Sequence, residues 1–334
     1  MYALLKPWAI ALISALILVP ILRALALKTG FVDLPASRKV HTRPLALLGG
    51  VGIYLSFALA LAITATFALS ITGIVAGGAL LMILGLIDDR RGMNPWIKLA
   101  GQVAAAAIVI GCGVRVEFLN TPYLNIPFTI LWIVGITNAF NLLDNMDGLS
   151  AGIAFISASA FAVITASFLF IGPEQIEATT IAAALAGACL GFLPYNVYHA
   201  RIFMGDAGSM VLGFVLASIG ALGSWHSETV TTSILIPVLI LAYPIFDTTF
   251  VTLLRLQRGV PFYQGGKDHS SHRLVSLGLN STEAVLLIYL FSLTNALAAM
   301  LVSSVTFPLA LMALFMSVCT LFIFGMVLRK APID

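Results

Sequence analysis

Four short segments carry residue types that do phosphate or metal chemistry. The first runs Gly85-Leu86-Ile87-Asp88-Asp89-Arg90-Arg91-Gly92 and closes an apolar stretch with two adjacent carboxylates. Acids at a helix C-terminus oppose the macrodipole, at about 0.3–1 kcal/mol each, so a functional pair is favoured over a merely solvated end. Neighbours on a helix point about 100° apart, so Asp88 and Asp89 are expected to have different partners. Lys98, ten residues after Asp88, can snorkel or meet a phosphate as a point charge. The second segment places Asn138, Asn141, Asp144 and Asp147 at every third residue before Gly148 and Leu149. On one helix these four form a slanting stripe of hard oxygens suited to Mg²⁺ with substrate phosphates. Such a stripe leaving a membrane span must face a wet cavity. A calcium loop does not fit, because Met146 follows Asn145 and no glutamate closes the loop.

The third segment is Arg201-Ile202-Phe203-Met204-Gly205-Asp206-Ala207-Gly208-Ser209. Asp206 at a helix start reads as an N-cap, and the same position can hold a metal that neutralises phosphates. The fourth is Gly265-Gly266-Lys267-Asp268-His269-Ser270-Ser271-His272-Arg273, inside the longest loop between apolar stretches. Its histidines suit an anionic substrate, and Arg273 could grip a phosphate through two N–H groups. Zinc is a weaker reading, since no cysteine or further histidine stands near. His199 and His226 lack such company and read as structural, as do Cys112, Cys189 and Cys319, scattered in apolar runs without ligand spacing.

The elements that position these segments are apolar helices. Of 334 residues, 60% are hydrophobic and 9% charged, and the mean hydropathy is +1.06. A soluble domain carries roughly 25% charged residues. Runs near the roughly 20 residues needed to cross a bilayer recur along the chain. They predict an all-α, polytopic membrane protein of one domain over residues 1–334. Eleven transmembrane helices are placed near 7–27, 48–69, 71–87, 97–113, 127–143, 150–171, 179–195, 207–223, 233–251, 283–303 and 306–328. The first is an uncleaved span rather than a signal peptide. Glu283, after Asn280-Ser281-Thr282, is expected to help start a helix.

Charge sets the orientation. One side collects most of the lysines and arginines, from Lys28 and Arg38 through Arg329 and Lys330, while the other keeps Lys6 and Arg115. The positive-inside rule makes the first side cytoplasmic, with the N-terminus outside and the C-terminus in the cytoplasm. All nine aspartates fall on that side: Asp33, Asp88, Asp89, Asp144, Asp147, Asp206, Asp247, Asp268 and Asp334. Four of the five glutamates (Glu117, Glu174, Glu177 and Glu228) fall on the other. Acids contribute little to topology, so a cytoplasmic site built from short carboxylates accounts for the split. Its loops lie near 28–47, 88–96, 144–149, 196–206 and 252–282. No span carries a charge at its middle, which favours a surface enzyme over a transporter with a midplane site.

Taken in order, the segments resemble one family, the polyprenyl-phosphate N-acetylhexosamine-1-phosphate transferases of glycosyltransferase family 4. Val32-Asp33-Leu34-Pro35, Arg38-Lys39-Val40-His41 and Gly49-Gly50 add a fifth matching feature, and the set spans residues 31 to 280. The resemblance implies transfer of N-acetylhexosamine 1-phosphate from a UDP-sugar to polyprenyl phosphate, undecaprenyl phosphate in bacteria, with release of UMP. This is the first membrane step of a cell-envelope glycan such as cell-wall polymer or O-antigen. It implies Mg²⁺, with Mn²⁺ as a substitute, held by Asn141 and Asp206. It gives Asp88 and Asp89 to the lipid phosphate, Lys98 to a phosphate, and Asp144, Asp147, Gly148 and Leu149 to the metal and nucleotide. Asn196 falls near the nucleotide, and His269, His272 and Arg273 match the family's His-x-His-His-Arg loop. Membrane lipids are partners and nucleic acid is not; the oligomeric state stays open, a homodimer included. Ser271 replaces the middle histidine of that loop, and Ala46-Leu47-Leu48 replaces a Pro-Arg-Leu. The triple histidine of the branch using UDP-N-acetylmuramoyl-pentapeptide is missing, which favours a simple UDP-sugar. The inner membrane, with the site facing the cytoplasm, is the implied location.

Overall fold

The computed structural model describes residues 2–34, 44–66, 68–116, 122–170, 172–223, 225, 230–261, 266 and 268–332, without the side chains of 2–3, 122 and 230–234. The described residues contain thirteen helices and one two-stranded sheet, and the chain divides into two compact units, residues 1–223 and 224–334. The fold is mostly helical rather than all-α. Strand β1 (Val32–Asp33) pairs antiparallel with β2 (Leu45–Ala46), Val32 opposite Ala46. Ala46 also bridges to Ile202, and its carbonyl accepts from the Phe203 amide at 2.8 Å, which ties this small sheet to the segment before Asp206.

In the first unit the helices are α1 (Tyr2–Thr29), α2 (Gly49–Thr64), α3 (Leu69–Arg91), α4 (Pro95–Gly111), α5 (Pro122–Leu143), α6 (Leu149–Ser167), α7 (Pro173–Asn196) and α8 (Gly205–Leu222). α8 is the centre: every residue from Ala207 to Ala221 is buried. A helix apolar on all sides is either a lipid-facing span or enclosed by protein, and α8 is enclosed. α3 and α5 pack most heavily against it, α4 joins α3 and α5, and α1 lies along α7 and α2. The contact of α3 with α8 depends on Gly85. A Cβ there would lie 2.3 Å from the Ala207 backbone, so only glycine lets the end of α3 touch the start of α8. Trp132 of α5 closes the other side by donating its indole N–H to the Ala217 carbonyl at 2.9 Å.

The second unit contains α9 (Val230–Ile240), α10 (Ala242–Gln257), α11 (Ser270–Ser276), α12 (Ser281–Val302) and α13 (Phe307–Leu328). The single span expected over 233–251 is two helices broken at Leu241. The cause is Pro244, which has no N–H to offer the Ile240 carbonyl one turn back but is tolerated in the first turn of α10. α12 opens with the expected device: Asn280 Oδ1 accepts from the Glu283 amide at 2.9 Å and Glu283 Oε2 from the Asn280 amide at 2.8 Å.

Eight described helices are long and apolar enough to cross a membrane: α1, α3, α5, α6, α7, α8, α12 and α13. α2 and α4 are shorter, at 16 and 17 residues. At about 1.5 Å per residue they rise about 24–26 Å, slightly less than a hydrocarbon core of about 30 Å.

Candidate active site

The ends of four helices of the first unit meet at one place. Lys98, in the first turn of α4, is the centre. Its Nζ lies 2.6 Å from Asp206 Oδ2, 3.0 Å from Asp88 Oδ2 and 3.0 Å from Asn141 Oδ1. The first turn of α4 is set by Asn94, whose side chain caps it by accepting from the Trp96 amide, with Pro95 at the first helical position. Lys98 and Asp88 are nearly buried, with 16% and 13% of their side chains exposed, while Asp206 keeps 34% open. Asn141 Nδ2 donates to Asp206 Oδ1 at 2.7 Å and to Ser209 Oγ at 2.9 Å. Its amide is therefore fixed, with the oxygen toward Lys98.

The two adjacent aspartates have separate tasks. Asp88 faces Lys98. Asp89 accepts from the backbone N–H groups of Asp206 at 2.8 Å and Ala207 at 3.3 Å. These are among the donors that a helix start leaves without partners. α8 begins at Gly205, its preceding residue Met204 provides no side-chain cap, and Asp206 lies inside the first turn. Asp206 is thus not the N-cap expected from the sequence; its own amide is capped from another helix by Asp89. Gly205 has φ +66°, and a Cβ on it would lie 2.4 Å from Asp89 Oδ2. Glycine is required there both for backbone conformation and for the close carboxylate.

The expected four-residue stripe is only half helical. α5 ends at Leu143, so Asn138 and Asn141 share its face, whereas Asp144 and Asp147 lie in the turn before α6. Asn145 turns the chain by donating from Nδ2 to the Leu142 carbonyl at 2.9 Å. Asn138 forms a reciprocal amide pair with Gln102: Nδ2 donates to Gln102 Oε1 at 2.7 Å and Oδ1 accepts from Gln102 Nε2 at 3.1 Å. Sequence reasoning missed Gln102, although its i, i+4 spacing from Lys98 puts both on one face of α4. Burial, then the charges of Asp206, Asp89 and Asp147, push the Asp144 carboxyl well above the usual carboxylate range.

Asp147 and Asn196 hold the backbone around this cluster. Asp147 Oδ2 accepts from the Ala200 amide at 2.9 Å, beside Tyr198 and His199, whose φ values of 31° and 62° are left-handed. Asn196 Oδ1 accepts from the Gly148 amide and its Nδ2 donates to the Ile202 carbonyl, both at 3.0 Å. Leu149, expected at the nucleotide, is fully buried, because it starts the packed face of α6. Asn196 is 3% exposed, so its described contacts are with the protein. Asn196→Ala should leave the Gly148 amide and the Ile202 carbonyl unsatisfied, costing about 2 kcal/mol. A clear fall in Tm in detergent is the expected reading; an unchanged Tm would remove this clamp.

In the second unit His269, Asp268 and Arg273 are positioned by α10 and α13. Arg255 Nε and Nη2 donate to Asp268 Oδ2 and Oδ1 at 2.7 and 2.6 Å, a fork-on-carboxylate pair. Burial alone would raise the Asp268 carboxyl, but Arg255 holds it below its ordinary value. Arg273 is 2% exposed; Nε donates to the Asp268 carbonyl, Nη1 to the Leu328 carbonyl, and its guanidinium lies 5.3 Å from the Phe250 ring centroid. Two of its donor atoms are therefore engaged inside this unit, while Nη2 is buried with no hydrogen-bond partner among the described residues. His269 pairs with Asp247, and His272 lies on α11. Arg38, Lys39, Val40, His41 and Lys267 fall outside the described residues.

The Lys98 cluster bears on a metal. Asp88, Asn141 and Asp206 present hard oxygens, and an ammonium already lies against all three, so the donor set suits a hard cation. Among the described residues no group of three or more His, Cys, Asp or Glu is arranged to hold a metal by itself. Mg²⁺ bound here would need substrate phosphates to complete its shell, which is its usual habit.

Apolar helices whose ends gather carboxylates around one lysine define a multi-pass membrane enzyme of phosphate chemistry. Residues 71–224 match the family described as Glycosyl transferase family 4. A probable undecaprenyl-phosphate N-acetylglucosaminyl 1-phosphate transferase of Bacillus subtilis (strain 168) is 34% identical over 316 residues, 92% of this chain and 87% of that protein. A decaprenyl-phosphate N-acetylglucosaminephosphotransferase of Mycolicibacterium smegmatis is 34% identical over 302 residues, covering 80% and 74%. A phospho-N-acetylmuramoyl-pentapeptide-transferase of Heliobacterium modesticaldum is also 34% identical, but over 214 residues, 58% of this chain and 63% of that one. The chain belongs to glycosyl transferase family 4, among the polyprenyl-phosphate N-acetylhexosamine-1-phosphate transferases.

Proposed function

We propose that this chain transfers N-acetylglucosamine 1-phosphate from UDP-N-acetylglucosamine to a polyprenyl phosphate, with undecaprenyl phosphate the acceptor in bacteria. The observation that carries this reading is the cluster of Asp88, Asn141 and Asp206 around Lys98. Relatives that cover 92% and 80% of this chain are named for N-acetylglucosamine, whereas a pentapeptide-transferase relative covers 58% of it.

An oxygen of the lipid phosphate attacks the β-phosphorus of the UDP-sugar. The bond from that phosphorus to the bridging oxygen breaks, and UMP leaves with the bridging oxygen. The products are UMP and polyprenyl-diphosphate N-acetylglucosamine. A phosphomonoester has a second pKa near ~6, so its oxygen is already largely ionised and needs no strong base. What the reaction needs is alignment and charge neutralisation. Lys98 supplies a fixed positive charge, Asp88 holds Lys98 from the α3 side, and Asn141 and Asp206 would hold Mg²⁺. Mg²⁺ held there, for which Mn²⁺ could substitute, would supply charge neutralisation for the diphosphate and the leaving UMP. Asp144 and Asp147 stand beside the nucleotide, the latter by fixing the 197–204 segment.

The proposed topology has eleven crossings, with α9 and α10 forming one broken crossing, α2 and α4 short ones, and α11 none. The N-terminus is outside, and the C-terminus and the Lys98 cluster face the cytoplasm at the bacterial inner membrane. The bias of lysine and arginine toward the loops on that side supports this orientation. A panel of labelled UDP-sugars with polyprenyl phosphate and purified protein tests the reading. UMP release and a lipid-linked product are expected with UDP-N-acetylglucosamine, absent when a chelator removes Mg²⁺. Product from the UDP-muramoyl-pentapeptide alone, or none from any sugar, would overturn it.

A further inference from the structure

The Lys98 cluster rests on a second polar layer that its own contacts do not require. One helical turn further in, each helix that supplies Lys98, Asn141 or Asp206 supplies a second residue on the same face: Gln102 on α4, Asn138 on α5 and Met210 on α8. These three also meet. Gln102 Nε2 donates to Asn138 Oδ1 at 3.1 Å and lies 3.7 Å from Met210 Sδ, and Asn138 Nδ2 donates back to Gln102 Oε1 at 2.7 Å. Asn138 Nδ2 also donates to the Val134 carbonyl at 2.8 Å, one turn back on α5. That bond fixes the asparagine amide, because a flipped one would set its oxygen against the carbonyl, and the fixed asparagine in turn orients the glutamine. Gln102 is 1% exposed. The other buried residues of α4 are Ala105, Ala106 and Val109, while Trp96 and Ile97 are exposed. Small apolar side chains let two helices approach closely. They offer little to fix the register of one helix along the other, which a reciprocal amide pair does.

We propose that Gln102 and Asn138 are positioning residues: their amide pair sets the register of α4 against α5 and so holds the Lys98 ammonium where Asn141 and Asp206 meet it. This rests on the phosphosugar-transferase reading given above, in which Lys98 is the fixed charge beside the reacting phosphates. Lysine itself creates the need. Its stem is flexible and its ammonium is a point charge with no preferred direction. Substrate phosphates compete with Asp88 and Asp206 for that ammonium, so in the reacting complex its place has to be set from the helix below. Gln102, on the same face of α4, carries no charge for a phosphate to attract, and its partners lie on α5 and α8 rather than on a substrate.

Gln102→Leu keeps most of the side-chain volume and removes the amide. Its kcat should fall about 30-fold, with KM for the UDP-sugar and for polyprenyl phosphate each within about twofold of native, because a misplaced charge acts where the transition state forms. A native kcat would overturn the inference. Gln102→Leu combined with Asn138→Leu separates position from stability, since replacing both partners of a buried hydrogen bond by apolar groups costs little. That double variant should melt near the native Tm in detergent and stay about 30-fold slow. Native turnover in it would make the pair a replaceable packing contact and sink the proposal. Gln102→Asn combined with Asn138→Gln exchanges the two amides and keeps their summed length. It should recover to within about threefold of native kcat, and a rate no better than that of Gln102→Asn alone counts against the pair. One readout does not depend on turnover: acylation of Lys98 by acetic anhydride, followed by mass spectrometry. It should run about fivefold faster in Gln102→Leu than in the native protein, as the ammonium leaves its charge-assisted hydrogen bonds. An unchanged rate would overturn the inference. If Gln102→Leu does not fold, Gln102→Asn and its exchange partner decide by the same two readouts. Absence of transfer by the native protein would instead sink the transferase reading itself, and the acylation rates would still decide what holds Lys98.

Discussion

Replacing Asp206 by alanine should stop phosphosugar transfer, with a loss on the order of 10³-fold or more in kcat. Three helices converge on this one carboxylate: Oδ2 meets Lys98 of α4, Oδ1 meets Asn141 of α5, and the residue itself opens α8. Alanine removes the anionic oxygen that would hold the proposed metal. It also releases Lys98 to Asp88 and Asn141, where its charge is no longer held between α4 and α8. Asp206→Asn separates the two effects. It keeps the volume and an acceptor for the Asn141 amide, yet lacks the charge. It should fold with a near-native Tm and remain inactive, and added Mg²⁺ should recover little of the loss. The measurement is labelled sugar phosphate reaching the lipid fraction, beside a thermal melt in detergent. Near-native turnover of Asp206→Ala at ordinary Mg²⁺ would remove this residue from the metal.

Much of this cluster was legible from residue types alone. Short carboxylates confined to one side of an apolar chain point to a site at helix ends, and Asp88, Asn141 and Asp206 do meet at the ends of α3, α5 and α8. Expecting different partners for Asp88 and Asp89 followed from the 100° step between helix neighbours, and the two side chains do diverge. What local pattern could not provide was which ends meet. Asp89 and the Asp206 amide are 117 residues apart, and nothing near either names the other. The three-residue spacing of Asn138, Asn141, Asp144 and Asp147 looks helical throughout. The helix nevertheless stops at Leu143, because Asn145 bonds back to it and Gly148 opens the next. Arg273 looked like a phosphate ligand because arginine beside histidines and glycines suits one. Its Nε and Nη1 also meet backbone carbonyls, contacts that leave no trace in a sequence. The break at Leu241 was readable in principle from Pro244, but the unbroken hydropathy of 233–251 outweighed it.

The sharpest test of how the cluster is assembled is Asp89. Adjacency to Asp88 invites a shared role on the lipid phosphate, but the geometry makes Asp89 the cap of α8, supplied by α3. A lost cap ordinarily costs about 0.5–2 kcal/mol of stability. Here the capped amide belongs to Asp206, so the larger effect should be in kcat. Asp89→Ala should lower kcat about 100-fold and raise the Mg²⁺ concentration needed for half-maximal rate. Asp89→Asn, which keeps one acceptor, should fall between it and the native enzyme. Gly205→Ala attacks the same joint from the other side, since its methyl would lie against the Asp89 carboxylate and its backbone is left-handed. The two substitutions should therefore be strongly non-additive: once Asp89 is alanine, the methyl meets nothing to displace, and only the backbone strain at Gly205 remains. If Asp89→Ala instead raised KM for polyprenyl phosphate alone, with Mg²⁺ dependence and kcat intact, Asp89 would be a direct ligand of the lipid phosphate, and the start of α8 would be held by Gly85 and its packing without it.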